Sequence, residues 1–148
     1  MNERPRVGFE IRTIFNLIKR EVDHLEEETY GQPISVTNRY ILLHLAHNHD
    51  RDIFQKDLEE VFMVRRSTMS AVLLRMEEKG LLKRTSVEHD ARLKKITLTE
   101  RGMQLYQEME HSIDNMEGRM ISGLSSEEEA TLLSLLEKVR TNLENEKS

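Results

Sequence analysis

Residues 64–102 decide the fold: VRRSTMSAVLLRMEEKGLLKRTSVEHDARLKKITLTERG. The stretch changes its period part-way. In its first half Met69, Val72, Leu73 and Met76 fall within about 100° of one another at 3.6 residues per turn, which predicts a helix running to Lys79. Gly80 supplies its left-handed stop. Ser67, Ala71, Leu74 and Glu78 take the opposite face, with Ser70 on its flank. From Leu81 to Thr99 the period becomes two. Leu82, Arg84 and Ser86 alternate with Lys83, Thr85 and Val87, and Ile96 and Leu98 alternate with Lys95 and Thr97. The polar turn Glu88-His89-Asp90-Ala91 lies between them, so a two-stranded hairpin with a basic, protruding tip is expected.

Working outward, a short helix is expected from Phe54 to Phe62, with Leu58, Val61 and Phe62 as its apolar side and a tight turn near Met63–Arg65 after it. Two short helices joined by such a turn and followed by a basic hairpin make a winged helix-turn-helix. Ahead of it, Tyr40, Ile41, Leu42, Leu45 and Ala46 mark a helix that Ser35 or Thr37 can cap and that ends at His47-Asn48-His49-Asp50. Ile11, Phe15, Ile18, Val22 and Leu25 form a narrow stripe on a first helix of about five turns, stopped by Thr29-Tyr30-Gly31-Gln32-Pro33. Thr99 can cap a fifth helix carrying Leu105, Met109, Ile113, Met116 and Met120. Ser125 with Glu128 is a capping box, opening a sixth helix with Leu132, Leu136, Val139 and Leu143, and the chain frays from Asn145 onward. At 148 residues this is one domain: a reading module at 35–99 between helical segments at 7–30 and 100–145.

The charge is unevenly spread. The whole chain carries a formal −5, yet from Val64 to Lys95 nine Lys/Arg face four Asp/Glu. An acidic protein with one basic segment is suited to holding a polyanion locally. The absence of cysteine excludes disulfides, thiolate metal sites and thiol redox chemistry. No apolar run approaches the roughly 20 residues of a membrane span, and no signal-peptide core follows the N-terminus, so a soluble cytoplasmic protein without a membrane partner is expected.

The basic segment has the chemistry for double-stranded DNA. A helix fits a major groove, where its N-terminal side chains meet base edges and its first amides face phosphate. Arg65, Arg66, Ser67, Thr68 and Ser70 stand there: two guanidiniums able to address guanine or phosphate in a bidentate way, and three hydroxyls. Arg92 at the hairpin tip has the reach for a narrow minor groove, with Lys94 and Lys95 along the backbone and Asp90 placed to hold Arg92 in a projecting pose.

Arg65-Arg66-Ser67-Thr68-Met69-Ser70, the run from Arg75 through Gly80 to Arg84, and Asp90-Ala91-Arg92 followed by Leu98-Thr99-Glu100-Arg101-Gly102 resemble the multiple-antibiotic-resistance (MarR) type of transcriptional regulator. The resemblance follows helix order over nearly the whole chain, and the Asp-x-Arg wing is its specific element. It implies a mainly α fold with a small β-hairpin wing: a six-helix winged helix-turn-helix, intertwined as a homodimer through the N- and C-terminal helices. It also implies sequence-specific binding of palindromic operators, repression or activation of transcription with repression favoured, and release by a small aromatic or anionic effector. It adds Arg75 and Arg84 to the DNA-contact candidates. Ala71 and Leu74 depart from the pattern, standing where the family often has Arg and Asp, and Glu59 replaces a small residue common in the preceding helix.

Stripes on the first, fifth and sixth helices exceed what the reading module can cover, which also favours a homodimer. Met103, Met109, Met116 and Met120 read as core filler on the fifth helix. No motif locates an effector pocket, and no cofactor is expected. The rival chemistry is metal: His44 and His47 lie i, i+3 on the second helix with His49 and Asp50 beyond. The other alternative is a helical dimer that binds protein rather than operators. A Gly-rich phosphate loop, a Gly-x-Ser-x-Gly elbow and a His-Glu-x-x-His pair are all missing, so no enzyme is expected.

Overall fold

A computed structural model describes residues 4, 6–29 and 34–145, apart from the side chains of 25–29 and 91. The expected stop at 30–33, the Leu25 side chain and the last residues, 146–148, lie outside the described residues. Among the described residues six helices and three strands follow in the order α1 (Val7–Thr29), α2 (Val36–His47), β1 (Ile53–Phe54), α3 (Gln55–Phe62), α4 (Arg66–Glu78), β2 (Leu82–Val87), β3 (Asp90–Leu98), α5 (Glu100–Met120) and α6 (Ser126–Asn145). They divide into two compact units, Met1–Glu108 and Met109–Ser148. No described helix is long and apolar enough to cross a membrane.

The helix ends follow from local chemistry. Ser35 caps α2 by accepting the Asn38 amide at 3.2 Å. Thr99 caps α5 by accepting the Gly102 amide at 3.0 Å, and its hydroxyl donates to the Gly80 carbonyl. At α6 Ser125 and Glu128 exchange both bonds of the capping box, at 3.0 and 3.1 Å. Two left-handed residues end α3 and α4. Gly80 has φ 74° and lets Leu81 N–H reach back to the Met76 carbonyl at 3.0 Å. Met63 takes the same role at φ 53°, with Val64 N–H on the Glu59 carbonyl at 3.2 Å. A side chain at that angle is uncommon, and here it makes the tight turn between the two short helices.

The first unit encloses a core of Ile41, Leu42 and Leu45 from α2, Leu58 from α3, Met69, Leu73 and Met76 from α4, and Leu82 and Ile96 from the sheet. Each fully buried Leu or Met contributes roughly 1.5–3 kcal/mol. Val72, expected in this core, is only half-buried. The charged side chain buried here is Arg39, 2% exposed.

The expected hairpin is present as β2 and β3, and the sheet adds one strand to it. The sheet has three antiparallel strands in the order β1-β3-β2, because Ile53 and Phe54 pair with Ile96 and Lys95. Ile53 is thereby buried, and Phe54 becomes the residue before α3, its amide held by the Asp57 carboxylate at 2.8 Å. The β2–β3 ladder runs in register from Leu82↔Leu98 to Ser86↔Lys94, then shifts between Ser86 and Val87 so that Val87 faces Asp90. That bulge narrows the turn to Glu88–His89 and twists the tip. In the second unit Met109, Ile113 and Met116 are buried, while α6 has no buried residue.

A candidate nucleic-acid interface

Helix α4 follows Arg65, whose extended backbone precedes the first turn and whose side chain makes no cap bond. Arg65, Arg66, Ser67 and Thr68 are all exposed, and the first turn holds no acid. The first amides of α4 therefore lack a side-chain acceptor and present partial positive charge beside two guanidiniums. The arrangement costs helix stability and suits an incoming anion. One turn on, Ser70 is half-buried and its hydroxyl accepts from Gln55 Nε2 at 2.7 Å, which ties α3 to the flank of the reading helix.

The wing stands beside this helix start. Arg92 is 92% exposed. Its amide donates to Asp90 Oδ1 at 2.9 Å, and its Nε lies 3.8 Å from the same oxygen, so Asp90 shapes the tip and leaves the guanidinium in solvent. Lys94 reaches across the ladder to Ser86 Oγ at 2.7 Å. Arg66, Ser70, Arg84, Arg92 and Lys94 all line one groove of about 610 Å³ between α3, α4 and the wing.

Not every candidate faces outward. Arg84 is 22% exposed and turns to Glu77: its Nη2 donates to Oε1 at 3.2 Å, while its Nε and its backbone N–H donate to Oε2 at 3.5 and 3.1 Å. The Arg84 hydrogen bonds hold the Glu77 carboxyl below its ordinary pKa. Arg84 thus braces the wing strand against the C-terminal turn of α4. Lys95 pairs with Asp52 at 2.7 Å, fastening β3 to the approach of β1, and Arg75 is exposed in the last turn of α4. Lys56, Gln55 and Glu59 also line the groove and were missed as contact candidates. They lie outside the basic run in sequence, Gln55 carries no charge, and residues 55–63 hold one Lys against three acids, so charge gives no signal for them.

The three histidines go separate ways. His44 packs edge-on against Phe62, 6.1 Å between centroids, and burial, then Arg51, lowers its pKa. His47 Nε2 shares a hydrogen bond with the Tyr106 hydroxyl at 2.8 Å, and His49 Nδ1 donates to the Ala46 carbonyl at 2.8 Å. Among the described residues no three His, Asp or Glu side chains converge on a point that could hold a metal ion.

A helix-turn-helix with an exposed arginine wing is the architecture of a protein that reads duplex DNA. Residues 33–93 match the model of the MarR family. The chain is 26% identical to the MepR protein of S. aureus, solved as a complex with DNA, with a TM-score of 0.84 over 95% of this chain and 99% of that one. It is 28% identical to the transcription regulator MarR of Oenococcus oeni PSU-1, with a TM-score of 0.79 over 92% and 99%. The transcriptional regulator SlyA shares the fold, with a TM-score of 0.82 over 96% of each chain at 22% identity. Over residues 33–93 in sequence, and over nearly its whole length in fold, the chain is similar to the MarR family of winged helix-turn-helix transcription regulators.

Proposed function

We propose that this protein binds palindromic operators as a homodimer and represses transcription until a small aromatic or anionic effector releases it. The observation that carries the reading is the wing: an arginine 92% exposed, its backbone fixed by Asp90, on the same groove as Arg66 at the start of α4. In this reading Arg65, Arg66, Ser67 and Thr68 enter the major groove, Ser70 meets its edge, and Arg92 and Lys94 follow the adjoining backbone or minor groove. Arg75 lies toward the far phosphates, and Arg84, Asp90 and Lys95 hold the wing in place.

Dimerisation is supported by apolar surface that a single chain leaves uncovered. Ile11, Ile14, Phe15 and Leu17 on α1 and Leu132, Leu133, Leu135, Leu136 and Leu143 on α6 are each at least 40% exposed. In the proposed assembly 7–30 and 100–145 form the dimerisation region around the reading modules, 35–99. Two modules about 34–36 Å apart match successive turns of a duplex and turn a weak half-site into a tight palindromic site. An effector that binds a mismatched dimer geometry about 100-fold better shifts the equilibrium by about 2.7 kcal/mol, enough to regulate.

Duplexes selected from a random pool, titrated at several salt concentrations, test the reading. Contact with six to ten phosphates gives log K against log[salt] a slope of about −5 to −9. A slope near zero, or no duplex retained, overturns it in favour of a protein-interaction module.

A further inference from the structure

The outward face of α4 is not polar throughout. Met69, Leu73 and Met76 are fully buried and fix how the helix is turned. Ser67, Ala71, Leu74 and Glu78 project from the opposite side, within an arc of about 60° at 3.6 residues per turn. Ala71 is exposed and Leu74 is 45% exposed. Rotating either inward would pull the core side of α4 into solvent. The apolar pair therefore belongs to whatever the reading helix meets.

We infer that Ala71 and Leu74 recognise thymine, by apolar contact with the 5-methyl groups that project into the major groove of the operator. The inference rests on the operator-binding reading and deepens it. Hydrogen-bond donors and acceptors line the major groove on every base pair, and the thymine methyl is its apolar landmark. Neither Ala71 nor Leu74 can replace the water that a guanine, adenine or cytosine edge would lose on contact, so those bases are penalised where thymine gains. Three residues of helix rise about 4.5 Å, against about 3.4 Å per base step, so the two side chains address the same or adjacent steps. The polar N-terminal turn, Arg65 to Thr68, reads the neighbouring positions by hydrogen bonding. Each half-site then carries one or two thymines beside a block read by arginine and hydroxyl.

The test replaces each thymine of a selected operator by deoxyuridine, one position at a time, which removes the methyl and leaves every hydrogen-bonding edge intact. Binding is measured by fluorescence anisotropy at fixed salt. One buried methyl is worth about fourfold in Kd, and that rise is expected at one or two adjacent thymines per half-site and nowhere else. The ratio of the deoxyuridine Kd to the thymidine Kd is then measured for Ala71→Gly and Leu74→Ala, within each variant, so that any loss of helix stability cancels. The ratio should fall toward one at the position each side chain faces. Operators that tolerate deoxyuridine everywhere, or a ratio unchanged in both variants, overturn the inference while operator binding stands. Failure to retain any duplex overturns both.

Discussion

Leu58, Met69, Leu73 and Met76 have no exposed surface, whereas Phe9 and Leu17 on α1 and Leu133 and Leu143 on α6 keep between 60% and 65% of theirs. The two groups are similar in composition and differ in setting. Around the first, short helices and a three-stranded sheet close over their own apolar residues, and the start of α4 is left without a side-chain cap. Around the second, long helices carry apolar side chains that their own unit leaves in water. One region is finished by its own sequence; the other leaves apolar surface open, which the assembly proposed above would cover.

The sharpest way to break that comparison is to spoil the unfinished part alone. Leu136→Asp sets a carboxylate on the exposed stripe of α6, where a lone chain tolerates it and a packed interface does not. Burying the unpaired charge costs several kcal/mol, so light scattering should show the mass falling to the 17.5 kDa of one chain. A dimer that survives the substitution removes α6 from the interface.

A smaller effect is expected at the wing. Arg92→Ala should leave folding intact, because the guanidinium is 92% exposed, and weaken DNA binding uniformly across operator sequences. The salt slope should become shallower by about one for each subunit, and the defect should shrink as salt rises. Loss confined to one base pair would instead make Arg92 a base reader.

The smallest effect concerns the brace between α4 and β2. Glu77→Gln removes a partly exposed ion pair, so about 0.5–1 kcal/mol of stability is at stake. The sign with pH is fixed. Glu77 has its pKa lowered by Arg84 from the ordinary 4.5, so the stabilisation is present above that value and disappears as pH falls through the lower folded one. Chemical denaturation of both proteins between neutral and acidic pH should show a gap that closes on the acid side. A gap that persists into strong acid would mean that packing, not charge, holds the wing.

The helices were legible because their signals are local. Ser35, Thr99 and the Ser125–Glu128 box each sit within three residues of the amides they satisfy, and Gly80 announces its own φ. The wing was legible because alternation runs along both of its arms. β1 was not: two residues cannot display a period, and Ile53 and Phe54 become a strand only when β3 arrives beside them. The sequence pattern accordingly places Phe54 in the helix it precedes. The same distance in sequence hid the direction of Arg84. From composition it is one more cation in a basic segment, and only the fold reveals the carboxylate that receives it. Gln55 and Lys56 escaped for a related reason, being outside the charged segment in sequence and on the rim of the groove in space.

Thr99 joins two helices through one hydroxyl, donating to the carbonyl of Gly80 and accepting from the amide of Gly102. A side chain on Gly102 would collide with the Leu81 carbonyl, so there is no room for slack in the joint. Torque applied to the first turn of α5 is therefore delivered to the far end of α4 instead of being absorbed by a loose tether, and the reading helix is geared to its successor.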